Sequence, residues 1–167
     1  SSQARIARFG SKLEAVCNQL KNIWKHEEGA KVIIFVQFEV LRKKMAGALS
    51  SLGMSCLTLH GSVFERRRAI RQFHAPGQEN QILLLSLERS PAGMNLVCCH
   101  HLILVHPMLA ESRTAALSFE RQAIGRVRRQ GQKEKVNVYR FYVRDTMEEE
   151  MVRAHHEKLQ GQLQGEA

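Results

Sequence analysis

One aspartate, Asp145, occurs in 167 residues, and nowhere does the chain read G-x-x-x-x-G-K-[ST]. It therefore lacks the glycine-rich loop whose backbone N–H groups cradle nucleoside phosphates, and it lacks a D-E-x-H block to hold magnesium beside them. No G-x-G-x-x-G follows the first strand-like run, which removes the fingerprint of a dinucleotide- or methyl-donor-binding enzyme on a similar sheet. Cysteine is scarce: Cys17, Cys56, Cys98 and Cys99 contain no C-x-x-C pair, so neither a disulfide scaffold nor a zinc ribbon is indicated, and a reducing compartment fits. Apolar runs are short, such as VIIFV at 32–36, against the ~18 residues that mark a bilayer span. With no signal peptide opening it, the chain reads as intracellular and soluble, without a membrane partner. Internal repeats, low-complexity tracts and interior linkers are also missing.

What the chain has in excess is positive charge. Lys and Arg total 25 against 16 Asp and Glu, a formal +9 with a pI near 9.8, which favours an anionic polymer as partner over an acidic protein. Charge by itself does not choose between nucleic acid, a membrane surface and simple solubility. The length suits one domain that buries roughly two-thirds of its unfolded surface.

Periodicity divides this domain into alternating elements. Ser11 precedes Leu13, Val16, Cys17, Leu20, Ile23 and Trp24, spaced for one helix face, with Gly29 as a stop. KVIIFVQF (31–38) reads as a strand buried on both faces. A helix with Leu41, Met45, Leu49 and Leu52 inward follows, ending at Gly53. MSCLTL (54–59) is the next strand, and Ser62 with Glu65 forms a capping box for a helix through Phe73, closed by Pro76 and Gly77. QILLLS (81–86) and HLILVH (101–106) are two more buried strands, KVNVYRFYV (135–143) alternates and suits a sheet edge, and a last helix starts near Asp145 or Thr146. This order predicts an α/β fold: a doubly wound, mostly parallel sheet with helices on both faces and ligands at the carboxyl ends of its strands.

The stretch QAIGRVRRQGQ (122–132) places three arginines within four residues. At about 100° per residue, Gln122, Arg126 and Arg129 share one helix face while Ile124 and Val127 turn to the core. Arg121 and Arg128, seven apart, form a flanking ridge set in solvent or against a backbone phosphate. Most arginine clusters are solvated helix faces, but two planar guanidiniums aimed at one spot also suit a phosphate chain, because arginine donates in a rigid fork and stays charged.

Gln122-x-x-Gly125-Arg126-x-x-Arg129 followed by Gly131-Gln132 resembles the sixth motif of superfamily-two helicases, in the form used by Swi/Snf-type DNA-dependent ATPases. Other blocks agree in order. KVIIFVQFEVL resembles the opening of the second RecA-like lobe, LHGS with ERRRAIRQF resembles L-D-G-S and E-R-x-x-x-I-x-x-F, LLLSLERSPAGMNL resembles the fifth motif, and VYRFYVRDTMEEEM resembles the segment closing the lobe. The resemblance implies an N-terminal flank at 1–11, a C-terminal RecA-like lobe at 12–153 and a frayed helix end and tail at 154–167. It implies that Arg126 and Arg129, placed by Gln122, act as arginine fingers on ATP and Mg2+ bound mainly by a preceding lobe. Gly93, Asn95 and Gly125 would lie at the nucleotide, while Gln37, His60, Gly61, Ser62 and Ser86 would track DNA backbone phosphates without reading bases. The implied partners are the N-terminal lobe of the same protein and double-stranded DNA, with nucleosomes beyond it, in the nucleus. QAIGRV and the V-x-P before it resemble the branch that joins this motor to histone-linker, PHD and RING-finger modules, which adds ubiquitin-pathway partners.

Three features depart from that family. Ser90-Pro91 replaces the usual glycine pair of the fifth motif and stiffens it. His106-Pro107-Met108 stands where an acidic residue and a tryptophan-bearing turn are usual, and LAESRTAALSFER is longer than usual. The first change leans toward an alternative, a non-hydrolysing DNA- or histone-binding module derived from such a lobe; retained Arg126 and Arg129 lean against it. Cys98, Cys99, His100 and His101 are expected to pack rather than bind metal, because consecutive residues project to opposite faces. His155, His156 and the run Glu148, Glu149 and Glu150 belong to the last helix, the acids favoured at its amino end, and Ser62 and Ser118 lack a His/Asp partnership for nucleophilic catalysis. Lacking a phosphate cradle, the isolated chain is predicted to release phosphate from ATP no faster than buffer with DNA present, as measured by a coupled phosphate assay.

Overall fold

The computed structural model describes residues 10–77, 81–90 and 93–142, and beyond them positions 150, 153, 154, 157, 158, 160 and 161. The elements run α1 (Ser11–His26), β1 (Val32–Val36), α2 (Glu39–Ser51), β2 (Cys56–Thr58), α3 (Val63–His74), β3 (Ile82–Ser86), β4 (His101–Leu104), α4 (Arg113–Gly125) and β5 (Asn137–Arg140). The strands form one sheet in the order β2-β3-β1-β4-β5. Every pairing is parallel, with Val32 opposite both Ile82 and His101 at the centre. This is the RecA-like α/β fold. The described positions from 150 to 161 are helical; the expected start of that helix at Asp145 or Thr146, His155, His156, Glu148, Glu149 and Pro91 lie outside the described residues.

Successive strand residues point to opposite faces, so each continuous apolar run feeds two cores. Val32, Ile34, Val36, Ile82, Leu84 and Ile103 pack with Val16, Leu20 and Ile23 of α1 and Ala48 and Leu49 of α2. Ile33, Phe35, Leu83, Leu85, Leu102 and Leu104 pack on the other face with Phe73 of α3 and Ala116 and Ala123 of α4. Fully burying one such side chain contributes about 1.5–3 kcal/mol. The alternating strand β5 takes one edge of the sheet, as its half-buried residues require.

The helix ends follow local chemistry. Ser62 accepts a hydrogen bond from Glu65 N at 3.2 Å while Glu65 Oε2 accepts one from Ser62 N at 2.6 Å, completing the capping box. At the other end of α3, Lys31 Nζ donates to the Phe73 and Ala75 carbonyls, the latter at 2.9 Å, placing a cation where unpaired carbonyls collect. After α2, Gly53 adopts φ 79, and its N–H and that of Met54 bond back to Ser50 O at 3.0 Å and Leu49 O at 2.9 Å. That pairing is the glycine-terminated helix stop. Ser11 does not cap α1; it is already helical, and Gly10 precedes it with no side-chain cap bond.

The first turn of α2 departs from the expected pattern. Leu41 is 41% exposed, whereas Glu39 and Arg42 are buried. Leu49 does face the core, and Met45 and Leu52 are partly buried against it. Polar ends of β1 and β3 explain the exchange. Arg42 donates from Nε at 2.9 Å and from Nη2 at 2.6 Å to Glu39 Oε1, Ser86 Oγ donates to Glu39 Oε2 at 2.7 Å, and Glu39 N donates to Glu88 Oε2 at 2.8 Å. A carboxylate beneath this turn satisfies a strand-end hydroxyl and a guanidinium together, which a leucine could not. The Arg42 bonds, against the opposing effect of burial, hold the Glu39 carboxyl at about 2 instead of 4.5.

Two outcomes follow from these turns. Gly53→Ala destabilises by about 1 kcal/mol in urea melts, because an L-residue at φ 79 is strained even in open space, while Gly47→Ala inside α2, where a Cβ also meets nothing within 4 Å, stabilises by about 0.5–1 kcal/mol. A folded pKa below the unfolded value stabilises above about pH 4.5 and loses that contribution as pH falls toward 2. Urea melts over that interval should show an acid-side decline that Glu39→Gln flattens.

Candidate functional site

α4 ends earlier than a continuous arginine helix requires. Gly125 is its last residue and Arg126 its C-cap, still right-handed at φ -74 and ψ -27. Beyond it tighter bonds, Arg126 N→Ala123 O at 3.3 Å, Val127 N→Ile124 O at 3.1 Å and Gln132 N→Arg129 O at 3.0 Å, are mixed with one helical bond, Arg128 N→Ile124 O at 2.8 Å. The polar face expected for Gln122, Arg126 and Arg129 is thereby divided. Gln122 stays on α4, exposed, its amide 3.5 Å from Ser118 Oγ. Arg126 turns inward with Val127, and Arg129 lies across the neighbouring loop.

Arg126 is 5% exposed. Its Cζ sits 5.3 Å from the centre of the Phe35 ring, and its Nη1 has no hydrogen-bond partner among the described residues. Among the described residues no carboxylate pairs with it, and burial pulls its pKa downward, though an arginine at this depth stays protonated. The ring offsets part of the cost of a buried cation, about 0.5–2 kcal/mol, which leaves a desolvated donor suited to an anion. Its main chain is well held: Leu96 N donates to Arg126 O at 2.8 Å. Gln132 braces the turn by donating to Cys99 O at 2.9 Å and Val127 O at 3.0 Å.

Arg129 is exposed, and its Nη1 donates to Gly93 O at 3.1 Å. The structure thus brings the sixth-motif arginine onto the fifth-motif loop. Gly93 holds φ 74, and a Cβ there or at Gly125 would meet nothing within 4 Å, so both backbones are open to close approach. Asn95 is exposed, but its Oδ1 accepts from Val97 N at 3.2 Å and its carbonyl lies 3.1 Å from His74 Nε2. Ser90 Oγ donates back to Ser86 O at 2.5 Å, tying down the entry to this loop.

The carboxyl edge of the sheet forms a second surface. After β2, His60, Gly61 and Ser62 make an exposed turn, with Thr58 Oγ1 2.8 Å from His60 Nδ1. Gly61 has φ 79, and a Cβ on it would come within 2.2 Å of Glu65 Oε2, so the capping box itself requires glycine there. Gln37 and Ser86 differ from expectation, for both are buried. The Gln37 amide donates to Leu109 O and accepts from Leu109 N at 2.6 Å, and Ser86 is spent on Glu39. Gln37 N also donates to His106 Nε2 at 3.2 Å, which, with His106 Nδ1 3.0 Å from Pro107 O, specifies the Nδ1–H tautomer. These side chains shape the edge and leave its outer surface to others.

At the amino end of β4 the histidines do not diverge as expected. His100 precedes the strand and escapes its alternation, so His100 Nε2 at 3.0 Å and His101 Nε2 at 2.7 Å meet the same Glu27 Oε2. Cys99 stays apart, its Sγ 3.0 Å from Lys31 O. Phe35 and Leu109 carry site geometry that the sequence did not single out, Phe35 because it lay inside a uniform apolar run, whereas Gln132 was marked by its motif position without a role.

Comparison with known proteins agrees with the fold. Residues 11–131 match the helicase conserved C-terminal domain. Among curated proteins the chain is 36% identical over 143 residues to the DNA (cytosine-5-)-methyltransferase DMT5 of Cryptococcus neoformans, covering 84% of this chain and 6% of that protein. It is 33% identical over 149 residues to DNA repair protein rad8 of Schizosaccharomyces pombe, covering 88% of this chain and 12% of that protein. Among solved structures, the C-terminal part of the Fun30 ATPase domain superposes with a TM-score of 0.69 at 28% identity, over 85% of this chain and 44% of that one. The chain thus spans a small part of its curated relatives. A parallel five-stranded lobe carrying an arginine turn on its flank, matched over most of its length, belongs to the helicase conserved C-terminal domain family.

Proposed function

We propose that this chain is the second lobe of an ATP-driven double-stranded DNA translocase that acts on chromatin in the nucleus. Arg126 and Arg129 serve as arginine fingers toward ATP and Mg2+ held mainly by a preceding lobe of the same protein. The observation that carries this reading is Arg126, a desolvated guanidinium with an unpartnered Nη1 and no carboxylate among the described residues. Such a group fits a polyphosphate, since charge developing on transferred phosphoryl oxygens is stabilised most by donors already stripped of water. Arg129 joins the turn to the Gly93 loop, so nucleotide engagement at the arginines is felt in the segment leading back from β3. Gln122 flanks the turn on α4, Gly93 and Gly125 give the nucleotide an unobstructed backbone, and Asn95 stands exposed beside Gly93.

DNA then lies at the carboxyl edge. His60, Gly61 and Ser62 face the phosphates, while Gln37 and Ser86 hold that edge in shape through Leu109 and Glu39. Contacts of this kind read no bases, so binding is independent of sequence and weakens steeply with salt. The similarity to DNA repair protein rad8 supports a DNA-acting motor. Nucleosomes and ubiquitin-pathway proteins are proposed as further partners through appended modules. Ser90, bonded back to Ser86, favours a second reading, a stiffened, non-hydrolysing DNA- or histone-binding module.

DNA-stimulated ATPase of the intact protein decides between them. Arg129→Ala and Arg126→Lys, the latter keeping a cation over Phe35, should each lower kcat by about 10³-fold or more while DNA affinity changes little. Wild-type protein without DNA-stimulated turnover would establish the second reading, and variants as fast as an active wild type would overturn the roles given to the two arginines.

A further inference from the structure

The structure assigns a zinc site to Glu27, His100 and His101 at the amino edge of the sheet, the end opposite the His60–Ser62 turn. Glu27 is the C-cap of α1 and is held there by its N–H bond to Ile23 O at 2.8 Å. His100 stands just before β4, its carbonyl accepting from Asn137 N at 2.8 Å, and His101 opens β4 between Val32 and Asn137. Three separate backbone anchors thus bring one carboxylate oxygen and two imidazole nitrogens within 4.8 Å of one another. The imidazole rings lie 4.3 Å apart between centroids, tilted by 41°.

The donor chemistry selects the ion. Two imidazoles and a carboxylate suit zinc and its borderline neighbours, whereas magnesium and calcium favour oxygen-only ligand sets. Tetrahedral zinc, with bonds of about 2.0–2.1 Å, separates its ligands by roughly 3.3 Å. The observed 2.7 and 3.0 Å from Glu27 Oε2 to the two Nε2 atoms must therefore widen by about half an ångström. The Glu27 side chain, 43% exposed, can move that far, while the His101 side chain, 7% exposed, supplies the fixed wall.

Tyr139 of β5 is the supporting partner. Its hydroxyl lies 3.1 Å from His101 Nδ1, and the two rings stack at 6.0 Å. A zinc-bound imidazole presents its second N–H to an oxygen acceptor; in the metal-free pair the tyrosine hydroxyl instead donates to that nitrogen, and it suits both tautomers. The thiols nearby are poor competitors, since Cys99 is spent on the Lys31 and His101 carbonyls and burial pushes its pKa up to about 12. Zinc here staples the end of α1 to β4, with Tyr139 of β5 in support, and a water completes the fourth position. It has no part in ATP chemistry.

Zinc and cobalt(II) titrations of the full 167-residue chain test the site. Zinc at a hundredfold excess over its dissociation constant should raise Tm by about 5 °C. Cobalt(II) should give visible d–d bands without thiolate charge transfer. Glu27→Gln and His100→Gln should each weaken binding by more than the roughly tenfold that loss of a supporting partner costs, and Cys98→Ser should leave it unchanged. The cobalt spectrum of the wild-type chain reports the ligands even where a variant fails to fold. No Tm shift and no spectrum, a thiolate band, or variants that bind as wild type would each overturn the assignment.

Discussion

Five strands running the same way impose the architecture on which everything else rests. Each strand starts at the edge where its neighbour also started, so the chain must return along a face after every strand, and those returns bury both faces of the sheet. Among the described residues two helices on each side meet that demand, with side chains of odd and even strand positions divided between them. The same constraint sends every strand's carboxyl end to one edge. Gln37, His60, Ser86 and His106 all emerge there, although they are far apart in the chain.

Buried charge is handled in two opposite ways. Glu39 and Arg42 form a fully bonded pair that also engages Ser86 and Glu88, so neither ion is left without compensation. Among the described residues the Arg126 guanidinium lies against the face of Phe35 and keeps one bare donor. An uncompensated buried cation costs more than a paired one. The structure thus meets the demand fully at Glu39 and Arg42 and leaves the Nη1 of Arg126 without a partner among the described residues. The main chain around Arg126 is correspondingly rigid, fixed by Leu96 and Gln132.

Arg129 carries the contacts of this turn outward. Its bond to the Gly93 carbonyl ties the turn after α4 to the segment leading from β3 to β4, two stretches joined only through the fold. Membership of the helicase conserved C-terminal domain family gives this joint its context. The flank that carries Arg126 and Arg129 and the carboxyl edge that carries the His60–Ser62 turn are separate surfaces, and the amino edge, with Glu27 and the two histidines, is a third.

Element identity was legible along the chain because it depends on local chemistry: unbroken apolar runs for the inner strands, an alternating run for β5, Ser62 with Glu65 for the cap, Gly53 for a helix stop. Family membership was legible too, as motif spacing survives in one dimension. Side-chain direction was not. Leu41 turned out and Glu39 turned in because β1 and β3 end beside each other, a pairing between residues 36 and 86 that no local window contains. Arg126 left the face of Gln122 because α4 stops at Gly125, and the partners that stop and brace it, Leu96 and Cys99, come from another crossover. His100 and His101 converged because Glu27, more than seventy residues earlier, lies at the same edge of the sheet. The chain alone determined which elements form and to which family they belong, since those follow from nearest neighbours; only the tertiary structure decided which polar groups are spent and which are left available, since that depends on what distant segments bring within hydrogen-bonding reach.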